Sequence, residues 1–401
     1  MTDEVVLAGG QRTPFGDFGK SLRDIPLAQL GAHAARACLA GIDLAPERVD
    51  HLVFGNVVPV DPDGHFVSRK VALEVGLPIE SSAFGVNRAC ASGSQAIASA
   101  AQNVREGLSQ ISLAGGGESF SRVPYVSQDV RWGAARGPAR LDDGLDYAYR
   151  CPFSRVLMGE TAETLAERLG YRREDMDDWG HMSQRRAQAA IESGFLARQI
   201  APIDVPEGRG TRRMVRDEYP RFDLAREQLA RLAPAFRAGG CVTAGSASGV
   251  TDGAAAVVVA SRAALERNGI APEARVVAYA TAGVPPGDHG CGAGAGDPPA
   301  SRARGPARAR HRLLRDQRGV RGGQPARRAR ARRPARGHEP LRRRDLDRAS
   351  ARGDRHPHDD HRDAPPAGDR RPLRGDQHVL RGRTGHGDAD REPAALRGDG
   401  R

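Results

Sequence analysis

Short runs of Val, Ile and Leu alternate with longer stretches whose apolar residues recur every three or four positions, and this alternation continues to about Ala282. The short runs read as strands at 4–8, 51–58, 111–114 and 254–261. Between the first two, Leu27, Leu30, Ala34, Ala37 and Cys38 fall on one stripe of a helix over 27–39. A second stripe, Ile97, Ala98, Ala101 and Val104, predicts a helix that ends near Gly107. Strand, helix, strand order points to an α/β protein with a sheet covered by helices.

The pattern changes twice. From about 121 to 244 the chain is richer in Arg, Asp and Gln, with helical spans near 160–169 and 176–193 and then an irregular Pro/Arg stretch. This reads as a long insertion that caps the sheet as a lobe of its own, because the strand expected at 254–261 returns the chain to the first sheet. After Gly287 the pattern stops: Ile, Phe, Tyr, Trp, Met, Asn and Lys are absent, and seven Leu and two Val are left among 115 residues. Such a stretch cannot build a core and is predicted to be disordered. The expected division is therefore 1–120, a first half; 121–244, an insertion lobe; 245–286, the return to that half and the start of a second; and 287–401, an Arg/Pro/Gly-rich tail.

Charge follows the same division. The formal net charge of +11 would ordinarily raise nucleic acid or an anionic membrane as partners. The tail, however, holds 29 Arg and 16 acidic residues, a net +13, while the first 286 residues carry 32 basic and 34 acidic groups, a net −2. The body is near neutral, and the tail lacks aromatic residues for base stacking and any motif spacing, so specific nucleic-acid binding is not expected. Cys38, Cys90, Cys151, Cys241 and Cys291 show no C-x-x-C spacing, which argues against a zinc site or a disulfide framework and for a reducing, cytoplasmic setting. No segment approaches the roughly 20 apolar residues of a membrane span.

The segment richest in chemistry is Val86-Asn87-Arg88-Ala89-Cys90-Ala91-Ser92-Gly93-Ser94-Gln95-Ala96-Ile97. A turn of small residues leads into a helix and puts Cys90 at its N-terminal end. The unpaired N–H groups and dipole there favour a thiolate, and the same groups can receive an oxyanion beside the sulfur. A lone cysteine is more often a small buried hydrophobe. Here the small neighbours leave room for a substrate, and a thiolate next to an anion hole is what acyl transfer through a thioester requires.

This segment resembles the nucleophile loop of thiolases, N-R-x-C-x-S-G-x-Q-A. Four more stretches agree with that family in order and spacing. Gln11-Arg12-Thr13-Pro14-Phe15-Gly16 resembles R-T-P-x-G, Gly115-Gly116-Gly117-Glu118-Ser119 resembles G-G-x-E-S, and Met158-Gly159-Glu160-Thr161-Ala162-Glu163 resembles M-G-x-T-A-E. The run from Thr243 to Ala255 resembles T-A-G-N-A-S-G-x-N-D-G-A-A. The resemblance implies an acyl-CoA acyltransferase built as α-β-α-β-α layers from two similar halves plus an insertion lobe, forming homodimers or homotetramers. It implies acetyl-CoA or another acyl-CoA as substrate, with no metal and no further cofactor. Cys90 is then the nucleophile, and Ser248, Gly249, Met158 and Arg221 contact substrate or coenzyme A. The glycines from Gly245 to Gly253 allow close backbone approach, Ser248 can offer a hydroxyl to the pantetheine arm, and a guanidinium at Arg221 suits phosphate or adenine. Ser246 and Thr251 stand where the family usually has Asn, and Leu157 where some short-chain members have His. A β-ketoacyl synthase relative shares the two-half architecture and a cysteine nucleophile, but T-A-G-x-A-S-G and M-G-x-T-A-E favour thiolase.

The family's second half supplies N-E-A-F, a G-H-P histidine that activates the nucleophile, and a C-x-G-G-G-Q-G cysteine that acts as acid and base. None is present in the chain as written. The tail's composition is that of a GC-rich gene read out of frame. Permitted codons for residues 310–323, read one nucleotide downstream, spell D-I-D-F-F-E-I-N-E-A-F-A-A-V. Residues 345–358 give I-S-T-G-H-P-L-G-A-T-G-I-R-M, and 378–391 give M-C-C-G-G-G-Q-G-M-A-T-R-I-V. All three motifs return in order and in one frame, which places a frameshift near residues 286–289. His311, His338 and His356 are then accidents of the shifted frame rather than candidate bases.

Overall fold

The computed structural model describes residues 4–133 and 136–287. Its centre is a mixed sheet of β1 (Val5–Arg12), β2 (His51–Gly55), β3 (Ser82–Val86), β4 (Ile111–Glu118), β5 (Thr251–Ser261) and the short β6 (Ala274–Arg275), in the order β6-β1-β5-β4-β2-β3. β2 runs parallel to β3 and β4, and β5 lies antiparallel between β1 and β4, pairing Val5 with Ser261 and Ala260 with Ile111. The strand after the insertion thus returns to the middle of the first sheet, as the apolar run at 254–261 predicts.

Alternation along each strand sends side chains to two faces. On one face Val6, Leu52, Phe54, Leu113 and Val258 pack with helices α1 (Leu27–Ala40) and α2 (Val67–Val75). On the other, Val5, Val53, Ala114 and Val259 pack with Ala96, Ala100, Ala101 and Val104 of α3 (Ser92–Arg105). The small residues of α3 let it lie close to the sheet, which fixes the height at which its first turn emerges.

The insertion contains α4 (Met158–Leu169), α5 (Arg173–Glu192) and a hairpin of Ile203–Glu207 with Gly210–Met214. Ile203, Val205 and Met214 join the core between the sheet and α1, so part of the insertion shares the sheet's core. The strand at Ser82–Val86 escapes the hydrophobic pattern because it is the sheet edge and three of its five residues are exposed. The strand expected at 51–58 ends at Gly55, where the chain turns under Glu118. The second half and the tail from 288 onward lie outside the described residues.

Candidate active site

Cys90 is exposed and sits two residues before the first residue of α3, at the C-terminal end of the parallel strands β2 and β3. Its loop is tied from within by Ser92, whose buried hydroxyl accepts the Arg88 N–H at 2.8 Å and donates to the Ala89 carbonyl at 2.7 Å. The Ala91 N–H donates to the Arg88 carbonyl at 3.1 Å and the Ser92 N–H to that of Ala89 at 3.0 Å. These bonds hold Ala89 at φ +45°, a left-handed conformation that a residue with a Cβ seldom adopts unless its neighbours enforce it. The result is an exposed sulfur in front of the first turn of a helix whose Ala96, Ala100, Ala101 and Val104 are buried against the sheet.

Glu118 and Tyr149 border this loop. Glu118, last in β4, accepts the Val57 N–H at 2.5 Å, the Asn56 amide at 3.0 Å and the Val58 N–H at 3.3 Å. Burial nonetheless pushes its carboxyl up to about 7, against the lowering effect of those donors. Tyr149 is pushed up to about 12, first by burial and then by electrostatic interaction with Cys90, Glu118 and Asp252. Asp252, fully buried, is raised by burial and accepts both the backbone N–H and the hydroxyl of Ser121.

The motifs at 11–16 and 158–163 hold the fold around the site. Thr13, fully buried, exchanges bonds with Ala254: its N–H donates to the Ala254 carbonyl at 2.9 Å, and its hydroxyl accepts the Ala254 N–H at 3.1 Å. Arg12 makes a bidentate pair with Asp217 at 2.7 and 2.9 Å, and Asp217 also accepts the Phe15 N–H at 2.8 Å. Glu163, buried on α4, accepts the N–H groups of Cys241 and Val242 at 2.8 and 2.9 Å and so fixes the chain entering the turn at 243–247.

Of the other predicted contacts, Ser248 is exposed just beyond that turn, and Gly249 follows it against Tyr219, where an added Cβ would lie 2.1 Å from the ring. Tyr219 in turn donates to the Ala247 carbonyl at 3.3 Å. Met158 is half-buried at the first turn of α4. Arg221 is exposed; its N–H donates to Gln184 and its guanidinium lies 3.6 Å from Asp17. Beside it a cleft of about 400 Å³ is lined by four basic residues, Lys20, Arg212, Arg213 and Arg216, and two acidic ones, Asp217 and Glu218, together with Pro220 and Phe222. The structure thus brings Ser248, Gly249, Tyr219 and Arg221 into one run of adjoining loops, while Cys90 stands at the head of α3. Sequence reading missed Asp217 and the basic cleft, whose residues gather only when the hairpin packs, and it missed Tyr149.

The described residues contain no helix long and apolar enough to cross a membrane. Residues 5–263 match the family described as thiolase, N-terminal domain. The chain is 43% identical over 293 residues to beta-ketothiolase BktB of Cupriavidus necator, covering 73% of this chain and 74% of that protein. It is 39% identical over 289 residues to the mitochondrial 3-ketoacyl-CoA thiolase of Mus musculus, covering 72% and 73%. The crystal structure of human mitochondrial 3-ketoacyl-CoA thiolase superposes with a TM-score of 0.71 at 37% identity, covering 73% of this chain and 74% of that one. The same human protein in complex with CoA gives 0.70. With sheet order, nucleophile-type loop and sequence in agreement, this chain belongs to the thiolase family.

Proposed function

We propose that this chain carries the nucleophile half of an acyl-CoA acyltransferase in which Cys90 forms the acyl-enzyme. The observation that supports this most directly is the exposed Cys90 held before the first turn of α3 by a loop fixed at Ala89. In thiolysis the Cys90 thiolate attacks the keto carbon of a 3-ketoacyl-CoA, and the bond between that carbon and the α-carbon breaks. The α-carbon takes a proton to leave as acetyl-CoA. The thiolate of a second coenzyme A then attacks the acyl-Cys90 thioester and frees the cysteine. Condensation of two acetyl-CoA molecules is the reverse.

Thiolysis needs a base for the sulfur and an acid for the α-carbon, and condensation needs the α-carbon group to act as base instead. In our reading those groups are encoded downstream, in the frame that spells G-H-P and C-C-G-G-G-Q-G. The matches to intact relatives cover 72–73% of the chain, in keeping with a change near residue 287. Ser248, Gly249 and Met158 would meet the acyl and pantetheine portion, and Arg221 with the neighbouring basic cleft the nucleotide end. The reaction needs no cofactor beyond the coenzyme A thioesters themselves. Among the described residues four cysteines are free, which fits a reducing cytoplasmic setting, and a restored second half would support a homodimer or homotetramer.

The test is a frame-restored protein incubated with acetoacetyl-CoA and coenzyme A. It should release acetyl-CoA and carry an acetyl group on Cys90 when quenched, and Cys90→Ser should abolish both. An unchanged rate in Cys90→Ser would overturn the assignment.

A further inference from the structure

Glu118 lies on a strand remote in sequence from the nucleophile loop, yet a continuous run of hydrogen bonds joins the two. Its Oε1 accepts the Val57 N–H at 2.5 Å, and its Oε2 accepts the Asn56 amide at 3.0 Å and the Val58 N–H at 3.3 Å. The peptide so gripped presents its other side to the nucleophile loop, where the Val57 carbonyl accepts the Asn87 side-chain amide at 3.0 Å. The opposite end of that amide, Oδ1, accepts the Ala89 N–H at 3.0 Å. Ala89 is the residue with φ +45°, and it is bonded directly to Cys90.

Two features make this a device rather than an ordinary loop contact. A carboxylate is the one side chain that can accept three converging donors with two oxygens, and this one is held where burial works against its charge. The left-handed Ala89 cannot keep its conformation by intrinsic preference, so it depends on bonds from outside its own residue. Ser92 supplies such bonds from within the loop, whereas Asn87 connects the loop to the sheet.

We propose that Glu118 is a positioning residue for acyl transfer: through the Val57 peptide and Asn87 it holds Ala89, and so keeps the Cys90 sulfur before the first turn of α3. This rests on Cys90 being the nucleophile, and the test separates the two statements. The full 401-residue chain is treated with iodoacetamide at pH 8, at low micromolar concentration, and labelling rates are read by peptide mass spectrometry at Cys90, Cys241 and Cys38. Cys38 is fully buried with its thiol pushed up to about 12 by burial, so its labelling reports unfolding.

In the unaltered chain Cys90 should label faster than Cys241 and Cys38 should stay unlabelled. Glu118→Ala should slow Cys90 by about 10-fold or more, the order of effect that misplacing a reacting group produces. Asn87→Ala, which severs the next link, should slow it similarly, and the double variant should be no slower than either single one. Glu118→Gln, which keeps one oxygen for the Val57 N–H, should recover part of the rate.

A Cys90 that labels no faster than Cys241 both in the unaltered chain and in the frame-restored protein, which adds the downstream base, refutes the nucleophile reading. A fast Cys90 that Glu118→Ala leaves unchanged, or effects of Glu118→Ala and Asn87→Ala that simply multiply, refutes the positioning role alone. If Glu118→Ala also releases Cys38, Asn87→Ala decides, because it removes no buried charge: an unchanged Cys90 rate in that variant overturns the proposal.

Discussion

Gly55 is where the sheet and the nucleophile helix meet most closely. It ends β2, and a Cβ added there would stand 2.6 Å from the Ser92 carbonyl carbon, 2.7 Å from its oxygen and 2.9 Å from the Gly93 nitrogen. All three atoms are backbone of the first turn of α3, so no side-chain rotation relieves the clash. To restore ordinary contact, which begins at 3.4 Å, Gly55→Ala must push that turn away by about 0.8 Å. The opposite side gives little room, since Gly116 already packs against the Gly55 carbonyl.

Overpacking of this kind costs about 1–3 kcal/mol, a loss of several degrees in Tm. The functional cost should be larger than the stability cost, because a displacement near 1 Å in a reacting group lowers rates by about 100-fold. The assay is kcat/KM for acetoacetyl-CoA thiolysis in the frame-restored protein, with Tm by circular dichroism alongside. Gly55→Ala should remain folded while kcat falls by one to two orders of magnitude. A variant with unchanged kcat would refute the claim that contact between β2 and α3 sets the position of the sulfur.

Arg12→Ala leaves Asp217, whose side chain is 7% exposed, without its bidentate partner, and should cost about 3–5 kcal/mol in chemical denaturation. Arg12→Lys should recover only part of this, since an ammonium lacks the fork; a loss below about 1 kcal/mol in Arg12→Ala would count against the pair. Glu118 has its folded-state value raised to about 7 from 4.5, so folding favours its protonated form. That contribution is fully present below pH 4.5 and is lost as pH rises through 7, so Glu118→Gln should flatten the fall in Tm between those values. An equally steep fall in Glu118→Gln would show that another group causes it. Finally, the strand Ser82–Val86 exposes Phe84 and, among the described residues, forms a sheet edge, so the 401-residue chain should self-associate in size-exclusion chromatography while the frame-restored protein elutes as a defined oligomer. A monodisperse monomer of the 401-residue chain would contradict this.

How much of this was legible beforehand depended on whether the signal was local. The strands at Val5–Arg12, Ile111–Glu118 and Thr251–Ser261 and the helix Leu27–Ala40 are buried, so their apolar residues had to follow the period of the element, and that period is visible in a string of letters. Ser82–Val86 left no such trace, because an exposed edge strand is selected for pairing on one side only. Cys90 announced itself through its neighbours: small residues, a serine two positions on and a helix stripe that ends at Val104 all follow closely along the chain. Permitted codons for the tail also spell, in a shifted frame, motifs that the written residues lack.

What only the tertiary structure decided is which distant groups meet. Nothing in the letters couples Glu118 to Val57 and Asn87, Arg12 to Asp217, Glu163 to Cys241 and Val242, or Gly55 to Ser92, yet these contacts fix the nucleophile loop and the turn before Ser248. Their partners lie between 30 and 205 positions apart. A hydrogen bond across such a separation carries no periodicity along the chain, because its geometry is set by where the sheet and helices pack and not by the spacing of the residues that make it.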